Sequence, residues 1–131
     1  MVTDSTEYAF NRTRGAYLAT RVSVAATHWS RFCGLMGRGA ECFPAGDGLW
    51  IVPSRGVHTF AMKFPIDVIY LDAHQYVVHL EHALKPWRVA PVSLRTASVL
   101  ELPAGTLEAS GTGVGDEIEM GLGEARRATT A

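Results

Sequence analysis

The chain has 131 residues, a formal net charge of −1 and a charged fraction of 19%. This length corresponds to one domain, with enough buried surface to fold without a disulfide or a metal. Because the charge is near neutral and the basic residues are scattered, the composition argues against nucleic acid as a partner. No apolar run reaches the roughly 20 residues of a membrane span, and residues 1–15 hold no signal-peptide core. We therefore expect a cytoplasmic monomer that does not associate with membranes.

The first predicted elements are a flexible N-terminal arm and a strand. Residues 1–15 are polar and predict the arm. From about 16 to 24 the apolar residues Leu18, Val22 and Val24 stand at even positions. This period of two is typical of a strand with one exposed face.

The period then changes to that of a short amphipathic helix at about 27–37. Its apolar side chains stand at i, i+3, i+4 and i+7: Trp29, Phe32, Cys33 and Met36. A glycine-rich loop follows and leads into a brief strand at 48–52. Cys33 and Cys42 have neither disulfide nor zinc spacing, so we expect two free thiols, with Cys33 the more buried.

The second half of the chain predicts four strands. Residues 66–71 and 76–80 are rich in β-branched and aromatic side chains, and the four residues 72–75 between them suit a hairpin loop. Residues 99–102 predict a further short strand. A segment that can hold at most one helical turn separates it from a closing strand at 118–122, which again alternates with a period of two.

These elements predict a mainly β protein with one short helix at about 27–37. We expect residues 16–122 to form a single β domain, followed by a flexible tail at 123–131. The architecture is either a small antiparallel β-sandwich or a partly closed barrel, jelly-roll-like in outline.

Three motifs resemble a known family. Residues 31–38, RFCGLMGR, are similar to the R-x-x-G-L-M-x-R signature of the domain of unknown function 192 family, also called uncharacterised protein family 0127. Residues 57–72, VHTFAMKFPIDVIYLD, resemble the family's central H-T-x-x-M-x-x-P-I-D-V-x-x-L-D. Residues 99–105, VLELPAG, match a later family motif that is followed by Gly115 and Asp116.

The resemblance spans roughly residues 16–122 and implies a fold more than a chemistry. It implies a small jelly-roll-like β domain with the helix packed on one side, and the family has no established biochemical activity. The sequence departs from the family at Gln75, since the family usually has a glycine after the L-D-x-x turn. Because glycine often sets the geometry of a hairpin loop, this difference affects the loop geometry that we expect.

Asp67 is a carboxylate inside an otherwise apolar strand. Because both faces of this strand are apolar, we expect it to be covered on both sides. An isolated buried carboxylate costs several kcal/mol, so Asp67 must be paired, hydrogen-bonded or protonated. Two interpretations stay open: Asp67 anchors the chain through backbone N–H groups near Pro65, or it belongs to a polar cluster at a pocket mouth and sets the charge state of His58 or an arginine.

The candidate ligand-binding residues are Arg31, Arg38, His58, Thr59 and Asp67. A histidine near a carboxylate is a common start for acid–base or metal chemistry, but no nucleophile motif or metal-ligand spacing accompanies His58. His79 and His82 lie three residues apart on a strand and should point to opposite faces. We therefore expect neither a metal nor a cofactor.

Three functional interpretations remain open. The favoured one is a non-catalytic module that binds a small polar or anionic ligand, or a partner's peptide, in a cleft near His58 and Asp67. The second is a small hydrolase or isomerase in which His58 and Asp67 form an acid–base pair. The third is a purely structural or interaction protein. We therefore favour a protein that is not an enzyme.

Overall fold

The structure is a computed structural model and describes residues 7–25, 43–56, 64–88 and 93–122. Its strands are β1 (Glu7–Asn11), β2 (Ala16–Ala25), β3 (Asp47–Ile51), β4 (Ile66–Leu71), β5 (Val77–Leu84), β6 (Ser98–Pro103) and β7 (Ile118–Leu122). The described helix is α1 (Thr106–Ser110). The mainly β prediction is confirmed, whereas the predicted helix at 27–37, both cysteines and the tail at 123–131 lie outside the described residues. No helix in the described ranges is long and apolar enough to cross a membrane.

The strands form one curled, half-barrel sheet in the order β5-β4-β6-β3-β2-β1-β7. Every neighbouring pair is antiparallel except β2 and β3, which are parallel. The two outer strands approach each other through an isolated bridge between Tyr76 and Glu117. Backbone hydrogen bonds from Val77 N to Asp116 O and from Ile118 N to Gln75 O, both 2.9 Å, support this contact. Of the two predicted architectures, the partly closed barrel describes the sheet.

Strand β1 lies in the segment for which the sequence predicted a flexible arm. It pairs with both β2 and β7, so residues 7–11 belong to the sheet. The strand has a weak apolar signal because it buries two polar side chains, Glu7 and Asn11. The Asn11 amide donates hydrogen bonds to Thr112 Oγ1 at 3.0 Å and to Asp116 Oδ2 at 2.9 Å, which offsets its burial.

Two apolar clusters pack on opposite faces of the sheet. The inner cluster draws on six strands and α1, as expected for the inside of a curled sheet, and contains Ala9, Leu18, Ala19, Val22, Ile69, Leu71, Val77, Leu100, Leu102, Leu107 and Ile118. The outer cluster contains Phe43, Leu49, Ile51, Phe64, Ile66, Val68, Tyr70 and Val99. Strand β4 contributes to both clusters and all six of its residues are buried. The prediction that this strand is covered on both sides is confirmed.

The predicted hairpin is also confirmed, since β4 and β5 are antiparallel neighbours. In the loop, Asp72 Oδ1 accepts hydrogen bonds from the backbone N–H groups of His74 and Tyr76 at 2.8 and 3.0 Å. Gln75 has a φ of 67°, a left-handed conformation that glycine adopts at the lowest cost. This conformation explains why a glycine suits the position in the family that the sequence resembles.

Candidate functional site

Asp67 joins three elements of the fold through backbone hydrogen bonds. Its Oδ1 accepts from Ala83 N at 2.8 Å, and its Oδ2 accepts from Gly105 N at 3.0 Å and from Leu107 N at 2.9 Å. The side chain is buried, with 1% of the residue exposed. Both carboxylate oxygens are therefore engaged, and β4, β5 and the start of α1 are held together at one point.

The need for this carboxylate arises from two local irregularities. The register of the hairpin runs from Ile66 opposite Leu84 to Val68 opposite Glu81, so β5 contains one extra residue facing Asp67. Such a bulge leaves backbone groups outside the ladder. Ala83 lies in this bulge with a φ of 48°, and Asp67 accepts its N–H group.

The second irregularity is the start of α1. The first N–H groups of a helix have no partner within the helix, and the partial positive charge there favours a carboxylate. Gly105 precedes α1 with a φ of 98° and provides no side chain as a cap. Asp67 supplies the missing acceptor for Gly105 and Leu107 from a neighbouring strand.

The sequence therefore located the buried carboxylate correctly but not its donors. The N–H groups were expected near Pro65, and they come instead from residues 16, 38 and 40 positions further along the chain. The other four candidate residues, Arg31, Arg38, His58 and Thr59, lie outside the described residues. Their grouping with Asp67 stays a prediction.

The turn after β5 presents an exposed tryptophan. This turn, residues 85–88, is called the basic turn below because it contains Lys85 and Arg88, both exposed. Trp87 is 62% exposed and has a φ of 62°. Proline at the second position and a positive φ at the third are typical of a type II turn, in which glycine or asparagine normally takes the third position. Trp87 holds that conformation at an energetic cost of order 1 kcal/mol or more.

Asp67 fixes the base of the basic turn. The Ala83 N–H group that Asp67 accepts lies two residues before Lys85, where β5 ends. No other carboxylate follows Glu81 until Glu101, so residues 82–100 contain cations but no acidic side chain. The basic turn therefore lies in a stretch of the sequence whose formal charges are all positive, although the whole chain has a charge of −1.

A second polar group on the outer face was missed by the sequence interpretation. We call Tyr70, His79, Glu81 and Glu101 the outer polar cluster. The rings of Tyr70 and His79 contact each other edge to face, with their centroids 4.9 Å apart. The His79 Nε2 atom lies 2.6 Å from Glu81 Oε2. Glu101 is fully buried. It is the cross-strand partner of Val68 on one side of β4, and Glu81 is the cross-strand partner of Val68 on the other side. Glu101 is the one acidic residue in the apolar run VLELP, so the sequence pointed to a buried carboxylate there in the same way as at Asp67.

The Tyr70 hydroxyl is a buried polar atom of this cluster without a hydrogen bond in the described part of the chain. Burial, and then the negative charges of Glu81 and Glu101, raise the pKa of Tyr70, so the phenol stays protonated. A buried hydroxyl without a partner has lost its bonds to water and received none in return.

We expect Tyr70→Phe to leave the free energy of unfolding unchanged or to raise it by up to about 1.5 kcal/mol, because the change removes an unpaired polar atom and keeps the ring. Urea unfolding at pH 7 measures this difference. Tyr8→Phe is the matched control, since the Tyr8 hydroxyl donates to Glu119 and its loss should destabilise the fold. A loss of stability in Tyr70→Phe comparable to that control would contradict the assignment of an unpaired hydroxyl.

The described residues have two further features that bear on metal and anion binding. They contain no group of three or more His, Cys, Asp or Glu side chains that could hold a metal ion. A groove of about 270 Å³ lies between β2 and α1, and its lining combines apolar side chains with hydroxyl side chains and contains no charged residue. This groove therefore offers no cationic side chain to a bound anion.

The chain is a partly closed β-barrel domain in which the buried Asp67 carboxylate holds the end of β5, just before an exposed turn. The family model DUF192, described as Uncharacterized ACR, matches residues 9–120. The chain is 33% identical over 123 residues to a UPF0127 protein of Thermococcus sibiricus, covering 90% of this chain and 77% of that protein. It is 33% identical over 114 residues to a UPF0127 protein of Pyrococcus furiosus, covering 83% and 94%. The chain belongs to the DUF192 family, as its three motifs predicted.

A solved structure supports the fold. The crystal structure of a protein of unknown function from Novosphingobium aromaticivorans matches with a TM-score of 0.73 and 21% identity. The match covers 88% of this chain and 84% of that one. At this level of identity, the likeness shows a shared fold and no shared activity.

Proposed function

We propose that this protein is a non-catalytic module that binds a peptide segment of a partner protein at the basic turn. The observation that supports this proposal is Trp87, a large apolar side chain that is 62% exposed in a left-handed backbone conformation. Residues held in sparsely populated conformations concentrate at functional sites. Tryptophan and arginine are also the residues most enriched among the dominant contacts of protein interfaces, and Arg88 adjoins Trp87.

In this proposal Asp67 is a positioning residue and does not touch the peptide. Its oxygens hold the β5 bulge and the start of α1, and its 1% exposure leaves little surface for a ligand. This burial favours the peptide over a small anionic ligand that contacts Asp67. It also weighs against the alternative in which His58 and Asp67 form an acid–base pair, because a substrate must reach the carboxylate. Arg31, Arg38, His58 and Thr59 stay proposed members of the binding site.

A random peptide library displayed on phage tests this function. We expect selection on the wild-type protein to enrich peptides that bind in the micromolar range by fluorescence anisotropy, as is usual for small interfaces. Trp87→Ala should weaken their binding by about 10-fold or more, because it removes the central aromatic contact. Circular dichroism and urea unfolding of the variant would show that its fold is retained.

Tyr76→Ala is the matched control. Tyr76 is 43% exposed, so it is a second exposed aromatic, and it lies just before β5 while the basic turn follows the other end of that strand. We expect this variant to bind the selected peptides within twofold of wild type. If no peptide is enriched, or if Trp87→Ala binds as well as wild type, the proposed function is wrong.

A further inference from the structure

We infer that the groove between β2 and α1 binds a neutral, hydroxyl-rich ligand of about the size of a hexose. The groove has a volume of about 270 Å³, close to the lower limit of the roughly 300 to 1,000 Å³ that is usual for small-molecule sites. Among the described residues its lining includes none from the basic turn, so this second site is separate from the proposed peptide site. The inference therefore does not depend on the proposed function.

One wall of the groove is formed by a single face of α1. Thr106, Ala109 and Ser110 line the groove, and their spacing of i, i+3 and i+4 places them on the same side of the helix. Leu107 is buried in the inner cluster, and its N–H group donates to the Asp67 carboxylate at 2.9 Å. Because these contacts fix α1 against the sheet, the groove is present before a ligand binds.

The opposite wall is formed by β2 and by the loop that precedes β3. The backbone carbonyl of Gly46 in this loop accepts hydrogen bonds from Thr20 N and Arg21 N, both at 2.9 Å. A Cβ atom at Gly46 would lie 3.3 Å from Thr20 Oγ1, so the loop packs closely on β2. Tyr17 also lines the groove, and its ring is held by an edge-to-face contact with Phe10. This wall therefore offers an aromatic residue and the Thr20 hydroxyl to a ligand.

The hydroxyl groups of α1 act as acceptors toward a ligand. Thr106 Oγ1 donates its proton to Pro103 O at 2.8 Å. Ser110 Oγ lies 3.3 Å from Leu107 O and 2.7 Å from Thr112 Oγ1, and its proton goes to one of these two atoms. Since both protons are used inside the fold, the two oxygens have only lone pairs left for a ligand.

This lining selects the chemistry of the ligand. Two oxygens that only accept require donors from the ligand, whereas a carboxylate would bring further acceptors against them. The described lining has no charged residue, so an ionic ligand would lose hydration without gaining a counter-charge. Small side chains leave space for a ring beside the acceptors: Ala16, Ala19, Ala45 and Ala109. A neutral hexose combines several hydroxyl donors with apolar C–H groups on one ring.

NMR titration of the backbone amides with D-glucose, D-galactose and myo-inositol tests the inference. We expect at least one of them to bind with a Kd of about 1 mM, since ligands with so few atoms bind weakly. The largest shifts should fall on Thr20, Gly46 and Ala109. D-Glucuronate, which adds a carboxylate, and cyclohexanol, which has one hydroxyl group, should bind at least about 10-fold more weakly. Maltose is the probe for a longer chain, and its affinity relative to D-glucose distinguishes the end of a glycan from a free hexose.

Two leucine variants locate the site. Ala109→Leu places a larger side chain in the groove and should weaken binding of the best ligand by at least about 10-fold, because the space for the ring is filled. Ala104→Leu is the matched control, since Ala104 is exposed like Ala109 but does not line the groove. We expect this control to bind within about twofold of wild type. Circular dichroism of both variants would show that the fold is retained.

The acceptor role of Thr106 has its own test. Thr106→Val keeps the shape of the side chain but removes the oxygen, and we expect about 5-fold to 10-fold weaker binding. Thr106→Ser keeps the oxygen and should bind within about twofold of wild type. Trp87→Ala should bind the hexose as wild type does, which separates this site from peptide binding at the basic turn.

Four results would overturn the inference. They are no shift at the groove amides with any of the three neutral ligands up to about 50 mM, equal binding of D-glucuronate or cyclohexanol, unchanged binding in Ala109→Leu, and unchanged binding in Thr106→Val. Each of them leaves the proposed peptide function standing. Failure of peptide selection, with hexose binding to the groove retained, would overturn the proposed function and leave this inference standing.

Discussion

Asp67→Asn should lower the free energy of unfolding by about 2 to 5 kcal/mol, because a buried acceptor held by three donors is replaced by an amide. Asparagine retains one oxygen and introduces an NH₂ group. In one orientation the NH₂ group faces Ala83 N, and in the other it faces Gly105 N and Leu107 N. Either orientation leaves at least one backbone N–H group opposite another donor.

Urea unfolding at pH 7 measures this loss, with Asp47→Asn as the matched control. Asp47 forms an ion pair with Arg21 on the surface, where such pairs contribute at most about 1 kcal/mol. The control should therefore cost far less than the change at Asp67. An unfolding midpoint for Asp67→Asn that equals or exceeds wild type would show that the carboxylate is kept for a role other than holding the fold.

Asp116→Asn should cost about 1 to 3 kcal/mol at pH 7, since it disrupts a second carboxylate junction. Asp116 Oδ2 accepts hydrogen bonds from Asn11 Nδ2, Arg14 Nε and Gly113 N, each at 2.9 Å. These bonds tie β1 to the segment before β7. Arg14 is half exposed, so its part of the contribution is reduced by solvent.

The same junction predicts a dependence of stability on pH. Burial acts to raise the pKa of Asp116, but the hydrogen bonds from Asn11, Arg14 and Gly113 outweigh it and hold the pKa below its ordinary value of 3.8. Because the folded pKa is the lower one, the contribution to stability is present above pH 3.8 and is lost as the pH falls through the folded value.

We therefore expect the difference in unfolding free energy between wild type and Asp116→Asn to be constant from pH 7 to about pH 5 and to shrink below about pH 4. Urea titrations at several pH values measure it, and the subtraction removes the effect of the other carboxylates. Glu117→Gln, at an exposed ion pair with Arg12, should show a much smaller difference at every pH. A difference that grows on acidification would contradict the lowered pKa of Asp116.

Much of the sheet could be predicted from local periodicity. Strands β2 and β7 each present one covered face, and the hairpin of β4 and β5 contains β-branched runs around a polar loop. Strand β1 could not be predicted, because Glu7 and Asn11 are buried polar side chains and the hydrogen-bond partners of Asn11 lie about 100 positions away in the sequence. The parallel pairing of β2 with β3 is likewise a tertiary feature without a local signature.

The candidate site was predictable in part. The cost of burying a carboxylate identified Asp67 from the sequence, but its three donors depend on a bulge and a helix start that become neighbours only in the folded sheet. The left-handed backbone of Trp87 was not predictable, because tryptophan rarely takes a position that suits glycine. Glu101 could have been identified by the reasoning applied to Asp67.

The pairing of β1 with β7 also determines how this domain can be joined to others. Glu7 and Leu122 are opposite each other on neighbouring strands, so the chain enters and leaves the sheet side by side. Their backbones are separated by about one strand spacing, roughly 5 Å. Such a unit can be inserted into a surface loop of a host protein without spreading the host's own chain apart. A short linker between the same two positions would close the sheet into a circular chain with every strand in place.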